Sequence, residues 1–114
     1  MTIIKNAIIY LLFSESASLK YYGSTRQRLC QRLAEHKRDC KKNNSVSSKE
    51  VMKCGDYKII ILEQFENISL RDLKLREGYY ITNNECVNKN VAGATLDENY
   101  KRDYMRKLRN SNIN

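Results

Sequence analysis

The chain has no proline and no tryptophan, only four glycines and a single histidine, and no long apolar run. Each shortage excludes something. Without proline, and with so little glycine, the composition does not suit a disordered linker protein. One histidine leaves no room for a multi-histidine metal centre. The longest stretch that reads as core, Ala7 to Phe13, is far shorter than a bilayer crossing requires. The opening MTIIKNAIIYLLF lacks a small-residue cleavage site, so it reads as a first strand rather than a secretory signal. The four cysteines, Cys30, Cys40, Cys54 and Cys86, form no Cys-x-x-Cys pair. Zinc would therefore need long-range convergence, and reduced thiols in an intracellular compartment, cytoplasmic or nuclear, are the expectation.

What is present is basic charge, unevenly placed. The net charge is +8, and 41% of the 114 residues are hydrophobic, enough for one domain with a modest core. Between Lys20 and Lys42 eight basic residues face two acidic ones. Lys20, Arg26, Arg28, Lys37, Arg38, Lys41 and Lys42 make this stretch a candidate surface for a polyanion, where phosphate contacts give affinity without sequence information. The plain alternative for any one of them is a solvated helix face. The asparagine, lysine and isoleucine content is compatible with an AT-rich genome, viral or mobile.

The stretch from Asn6 to His36 organises the rest. Ala7 to Phe13 carries no charge and has strand-like content, with Ile8, Tyr10 and Leu12 on one face and Ile9, Leu11 and Phe13 on the other. Ser14 to Leu19 reads as a hairpin connection that brings Tyr21 back beside the first strand. Ser24 or Thr25 then serves as N-cap to a helix over Arg28 to Lys42, with Leu29, Leu33 and Ala34 at helical spacing. Arg32 and His36, four apart, share a face.

Downstream, NNSVSS is a polar loop, Ser47 to Glu50 begins a short helix, and Gly55 stops it. Tyr57 to Phe65 is a third strand, expected in the centre of the sheet because Ile59, Ile60 and Ile61 suit burial on both faces. After a break at Asn67 to Leu70, Ser69 with Asp72 resembles a capping box. The helix that follows sets Leu70, Leu73, Glu77, Tyr80, Ile81 and Asn84 at three- and four-residue spacing. Glu77 on that apolar side is costly unless it binds a cation or pairs with an arginine of the basic helix. Gly78 suggests a close approach to the sheet. Residues 96–114 are basic and aromatic, a thin-striped helix or the start of a linker, beyond a domain placed at 1–95. Tyr100, Tyr104 and Leu108 would form the stripe, either packed on the domain or presenting Lys101, Arg102, Arg106, Lys107 and Arg109 to phosphate.

The order IIY, KYYGST and RLAEHK resembles the GIY-YIG nuclease family, whose fold is a small three-stranded, mainly antiparallel sheet flanked by helices. The likeness continues through LKLREGYYI to NKNVA and covers roughly residues 3 to 93. It implies an α/β (α+β) domain that hydrolyses DNA phosphodiester bonds, with one Mg²⁺ or Mn²⁺. Tyr10 and Tyr21 take the places of the two half-motif tyrosines, and Arg32 and His36 those of the helical arginine and histidine. Glu77 takes the place of the metal-binding glutamate and Asn90 that of the closing asparagine. Two positions depart from the pattern. Ile8 stands where the first half-motif opens with glycine, which bears on the shape of the site more than on its chemistry. Tyr22 stands where an aliphatic residue is usual, and the pleat should turn it away from Tyr21.

In such a site Tyr10 would orient or deprotonate the attacking water. A tyrosine ordinarily titrates near about 10, so the metal, Arg32 or His36 must lower it. His36 is the other candidate base, since its ordinary pKa of about 6.5 suits neutral pH. Tyr21 would hydrogen-bond the phosphate or Tyr10, and Arg32 would stabilise transition-state charge. With no room for a large recognition domain, low or structure-based selectivity is expected. Two other classes stay open. One is a DNA-binding module with little turnover. The other is a nuclease part that needs a protein partner or a further domain.

Overall fold

The computed structural model describes residues 3–41, 47–89, 91–94 and 96–111, with side chains as far as 107. Three strands, β1 (Ile3–Ser14), β2 (Leu19–Thr25) and β3 (Tyr57–Ser69), form one antiparallel sheet in the order β2-β1-β3. Four helices accompany it: α1 (Leu29–Lys41), α2 (Lys49–Met52), α3 (Leu70–Asn83) and α4 (Glu98–Ser111). The three-stranded α+β architecture anticipated from the sequence is what forms.

The alternation along β1 divides the core. Ile8, Tyr10 and Leu12 pack with Tyr21, Leu29, Leu33, Val51 and Met52 under α1 and α2. Ile9 packs with Ile4, Ala7 and Leu73 under α3. Ile8 is half-buried on Tyr10's own side and fills space in the same cluster. Tyr22 points the other way and stacks on Tyr80, with ring centroids 5.7 Å apart.

β3 is not central. The long, fully paired β1 takes that place, and β3 is left at an edge with Ile60 and Ile61 still 43% and 44% exposed. An apolar run fits an edge as well as a centre, because its pattern records side-chain character and not which strand lies next to it. The expected break at Asn67 to Leu70 is also absent. β3 runs through Ser69 straight into α3, where the Ser69 hydroxyl accepts the Asp72 N–H at 3.1 Å.

Ser24 and Thr25 belong to β2 and do not cap α1. Thr25 Oγ1 accepts the Gln27 N–H instead, and α1 begins at Leu29. Gly55, with φ of +80°, ends the turn after α2 as expected. Gly78 meets the chain that follows α3 rather than the sheet, since a Cβ there would lie 2.2 Å from the Ala92 carbonyl oxygen. α4 rests on α3 through Tyr100, whose hydroxyl donates to Asp72 Oδ1 at 2.5 Å beneath the Arg71 guanidinium. Lys101 is turned inward to the Ala94 carbonyl and Glu98. Among the described residues no helix is long and apolar enough to cross a membrane.

Candidate active site

β1 and β2 bring their tyrosines together by register. Tyr10 pairs with Gly23 and Leu12 with Tyr21, so both phenol rings lie on the α1 face, centroids 6.5 Å apart. α1 lies across them and lowers Arg32 and His36, one turn apart, onto Tyr10. Its hydroxyl is 2.8 Å from His36 Nε2 and accepts the Arg32 Nε–H at 3.1 Å. The His36 ring stands edge-on to both tyrosines, at 5.8 and 5.5 Å. Tyr10 and His36 are buried, whereas Tyr21, Arg32 and Glu77 are half-buried. His36 is thus no surface histidine.

Gly23 makes this arrangement possible. A Cβ there would lie 2.4 Å from the Tyr10 hydroxyl oxygen and 2.5 Å from Cζ, so the Tyr10 ring occupies the space a side chain would need.

Glu77 arrives from the opposite side of the sheet. Ser24, paired with Ile9 and so on the α3 face, donates its hydroxyl to Glu77 Oε1 at 2.5 Å. Among the described residues the alternative of a salt bridge to the basic helix does not form. Arg32 donates to Glu35 Oε2 at 2.8 Å, and the arginine beside Glu77, Arg76, grips Glu63 together with the Tyr80 hydroxyl. Even so, Glu77 and the tyrosine side are electrostatically in touch: its charge raises Tyr21 and Tyr10, and that of Arg32 pulls Glu77 down.

Burial governs the titration behaviour of the metal-free site. Loss of water pushes Tyr10 well above the usual tyrosine range despite Arg32, and it pushes Tyr21 up as well. Burial, assisted by the Arg32 charge, takes His36 down to about 4. Burial also raises Glu77, against the pull of Ser24 and Arg32. Arg32 itself is raised, because the neighbouring Tyr10, Tyr21 and Glu35 outweigh its own desolvation. The resting site therefore holds neutral tyrosines and a neutral imidazole at pH 7.

A stability prediction follows from His36. Its folded pKa lies below the unfolded value, so between about 4 and 6.5 the unfolded chain binds the extra proton. The contribution is complete above about pH 6.5, falls with pH through that window and is lost below about 4, worth about 3 kcal/mol in all. Denaturant unfolding of the wild type and His36→Gln from pH 4 to 7.5 should show the stability difference shifting in the variant's favour by that amount toward the acid end.

Of the basic candidates, Lys20, Arg26, Arg28, Lys37, Arg38 and Lys41 are all exposed. Arg26 and Arg28 sit in the β2–α1 connection just beyond Ser24, and Lys37, Arg38 and Lys41 on the later turns of α1. Lys42 and Asn90 lie outside the described residues.

Three residues had escaped notice as parts of the site. Ser24 holds Glu77. Ser48 holds the second nitrogen of His36, with Oγ 3.0 Å from Nδ1. Asn88 braces the second tyrosine strand: its Oδ1 accepts the Tyr22 N–H at 3.0 Å and its Nδ2 donates to the Tyr22 carbonyl at 2.8 Å. The neighbouring Val87 N–H adds a bond to the Lys20 carbonyl at 2.8 Å, so this segment lies along the outer edge of β2.

Among the described residues no three His, Cys, Asp or Glu side chains gather. Glu77 is the half-buried carboxylate whose charge reaches Tyr10 and Tyr21. Its Oε1 takes the Ser24 hydroxyl, while Oε2 takes no hydrogen bond among the described residues. One hard oxygen donor suits an ion that keeps most of its own waters.

Comparisons with curated proteins and with solved structures return no match. The family model described as the GIY-YIG catalytic domain matches residues 6–90, from within the Tyr10 strand past α3 and Asn88. On that match, and with the three-stranded fold in place, the chain belongs to the GIY-YIG family of nucleases.

Proposed function

We propose that this chain is a metal-dependent endonuclease that cuts DNA with low or structure-based selectivity. The observation that carries the proposal is the convergence of Tyr10, Tyr21, Arg32 and His36 on one face of β1 and β2, with the Glu77 carboxylate close enough to act on them. Exposed cations in the β2–α1 connection and along α1 give a polyanion somewhere to rest beside that cluster.

Phosphodiester hydrolysis needs a proton taken from water and positive charge on the phosphate. Arg32, half-buried between the two tyrosines, supplies a fixed charge to phosphate oxygens. Tyr10 takes the water's proton as it passes its own to His36 Nε2, 2.8 Å away. This coupling lets a tyrosine with so high a proton affinity act without a free phenolate in the resting site. Tyr21, the more accessible hydroxyl, donates to the phosphate. As the water oxygen bonds to phosphorus, the bond to the leaving oxygen breaks and that oxygen takes a proton from solvent. A Mg²⁺ or Mn²⁺ ion held through Glu77 would supply further charge on the phosphate and make a water easier to deprotonate.

The burial of the two tyrosines favours a second arrangement of roles. Tyr10 has no exposed surface at all, whereas Tyr21 is half-buried. In that arrangement Tyr21 meets the water, and the Tyr10–His36 pair holds Arg32 in place.

Cleavage of supercoiled plasmid in Mg²⁺, Mn²⁺ or chelator tests the activity. Nicking that requires the ion supports the proposal. Binding without nicking in any condition overturns it in favour of a binding module, and nicking that appears only with an added partner or domain marks a subunit. Tyr10→Phe and Tyr21→Phe separate the two arrangements: the tyrosine that meets the water should cost about a hundredfold or more in nicking rate, and the other less.

A further inference from the structure

The hydroxyl of Ser48 is not used by the helix it begins. Ser48 stands at the N-cap of α2, where a serine oxygen ordinarily accepts one of the first helical N–H groups, yet its side chain makes no such bond. It is turned to His36 instead, with Oγ 3.0 Å from Nδ1. Both residues are buried, at 4% and 2% exposure, so water does not compete for the contact.

Proton inventory sets the direction of each bond. The Arg32 guanidinium can only donate, so the Tyr10 oxygen receives its Nε–H. The Tyr10 O–H must then point to an acceptor, and His36 Nε2, at 2.8 Å, is the one its geometry offers. A neutral imidazole that accepts at Nε2 carries its proton on Nδ1, and that N–H donates to Ser48 Oγ.

We propose that Ser48 is a positioning residue that holds His36 in the Nδ1–H tautomer, with the Nε2 lone pair aimed at Tyr10. Its catalytic consequence rests on the nuclease reading above: only this tautomer can receive the Tyr10 proton, since a proton already on Nε2 would occupy the place. The imidazolium formed by the transfer keeps its Nδ1–H bond to Ser48, so the ring need not turn during the step. Ser47 beside it accepts the Lys89 N–H at 3.3 Å, which ties the loop carrying Ser48 to the segment bracing β2.

The single histidine makes the test direct. Long-range ¹H–¹⁵N correlation of the uniformly labelled full chain at pH 7.5 contains one imidazole pattern and reads its tautomer. The wild type should have its proton on Nδ1. Ser48→Ala should populate the Nε2–H form and reduce plasmid nicking on the order of tenfold, with an unchanged circular dichroism spectrum. Ser48→Thr, which keeps the hydroxyl, should restore both the tautomer and the rate. A wild type protonated on Nε2 overturns the proposal without recourse to any variant. So does a Ser48→Ala protein that keeps the Nδ1–H form unmixed. If the wild type nicks nothing but Ser48→Ala still shifts the tautomer, the placement of Ser48 is supported and the nuclease reading fails.

Discussion

Glu77→Ala is expected to lower metal-dependent nicking by about a thousandfold or more while the protein still binds plasmid. The size follows from the task proposed for the carboxylate. Losing the group that holds a charge-stabilising ion removes several kcal/mol from the transition state, and about 4 kcal/mol is a factor of a thousand. The fold should not suffer in proportion. Burial raises the Glu77 pKa, which means the charged carboxylate is held at a cost in the metal-free chain, and Ser24 and Arg32 offset that cost only in part. Removing it forfeits one hydrogen bond and relieves that desolvation, so the change in unfolding free energy should stay within about 1 kcal/mol. Glu77→Gln sharpens the case. Its amide oxygen can still accept the Ser24 hydroxyl, but it brings no charge to an ion, so it should be nearly as inactive as the alanine variant. Binding of Mn²⁺, followed by electron paramagnetic resonance, should weaken in both. Nicking retained by both variants would remove Glu77 from the chemistry.

The parts of the site legible in the sequence are those set by local periodicity. The pleat of β1 places Tyr10 with Ile8 and Leu12, and one helical turn places His36 beside Arg32. The three residues that escaped are short and polar, and each acts at long range. Ser24 meets Glu77 across 53 positions, Asn88 meets Tyr22 across 66, and Ser48 meets His36 across 12, from one helix to the start of the next. In sequence Ser24 and Ser48 carry the signature of helix caps, since a hydroxyl before a helical run satisfies free amides equally well. Nothing local says whether that hydroxyl will be spent on its own backbone or on a distant side chain. The edge position of β3 was hidden for a related reason: strand order depends on which neighbour outcompetes another for β1. Proton affinities of the metal-free site were not legible in the sequence because they follow burial, which belongs to the assembled domain. Arg32 does pull Tyr10 down, as its charge requires, but desolvation is the larger effect.

Gly23→Ala is the second large effect, and it should appear in stability and activity together. The backbone at Gly23 gives no reason for glycine, since its φ is not positive and it sits in regular register opposite Tyr10. Alanine in an ordinary strand position usually gains slightly over glycine by restricting the unfolded chain. Any loss must therefore come from space, and the space is taken: the new Cβ would lie 2.5 Å from Tyr10 Cζ and 3.0 Å from Cε1. The ring cannot swing clear cheaply. It is rigid, wholly buried, and its hydroxyl is held by His36 and Arg32. Overpacking of this kind costs about 1–3 kcal/mol, and a displacement of about 1 Å at a reacting group costs about a hundredfold in rate. A double-mutant cycle isolates the cause. In a Tyr10→Leu background the smaller side chain leaves room for the added methyl, so Gly23→Ala should cost less than about 0.5 kcal/mol in unfolding free energy there, against its full cost beside tyrosine. Equal costs in both backgrounds would mean that Gly23 serves something other than the Tyr10 ring. A cost confined to the tyrosine background would make this glycine the complement of Tyr10 across the strand pair, required because a phenol that must touch both His36 and Arg32 has to lie flat over β2 where a side chain would otherwise stand.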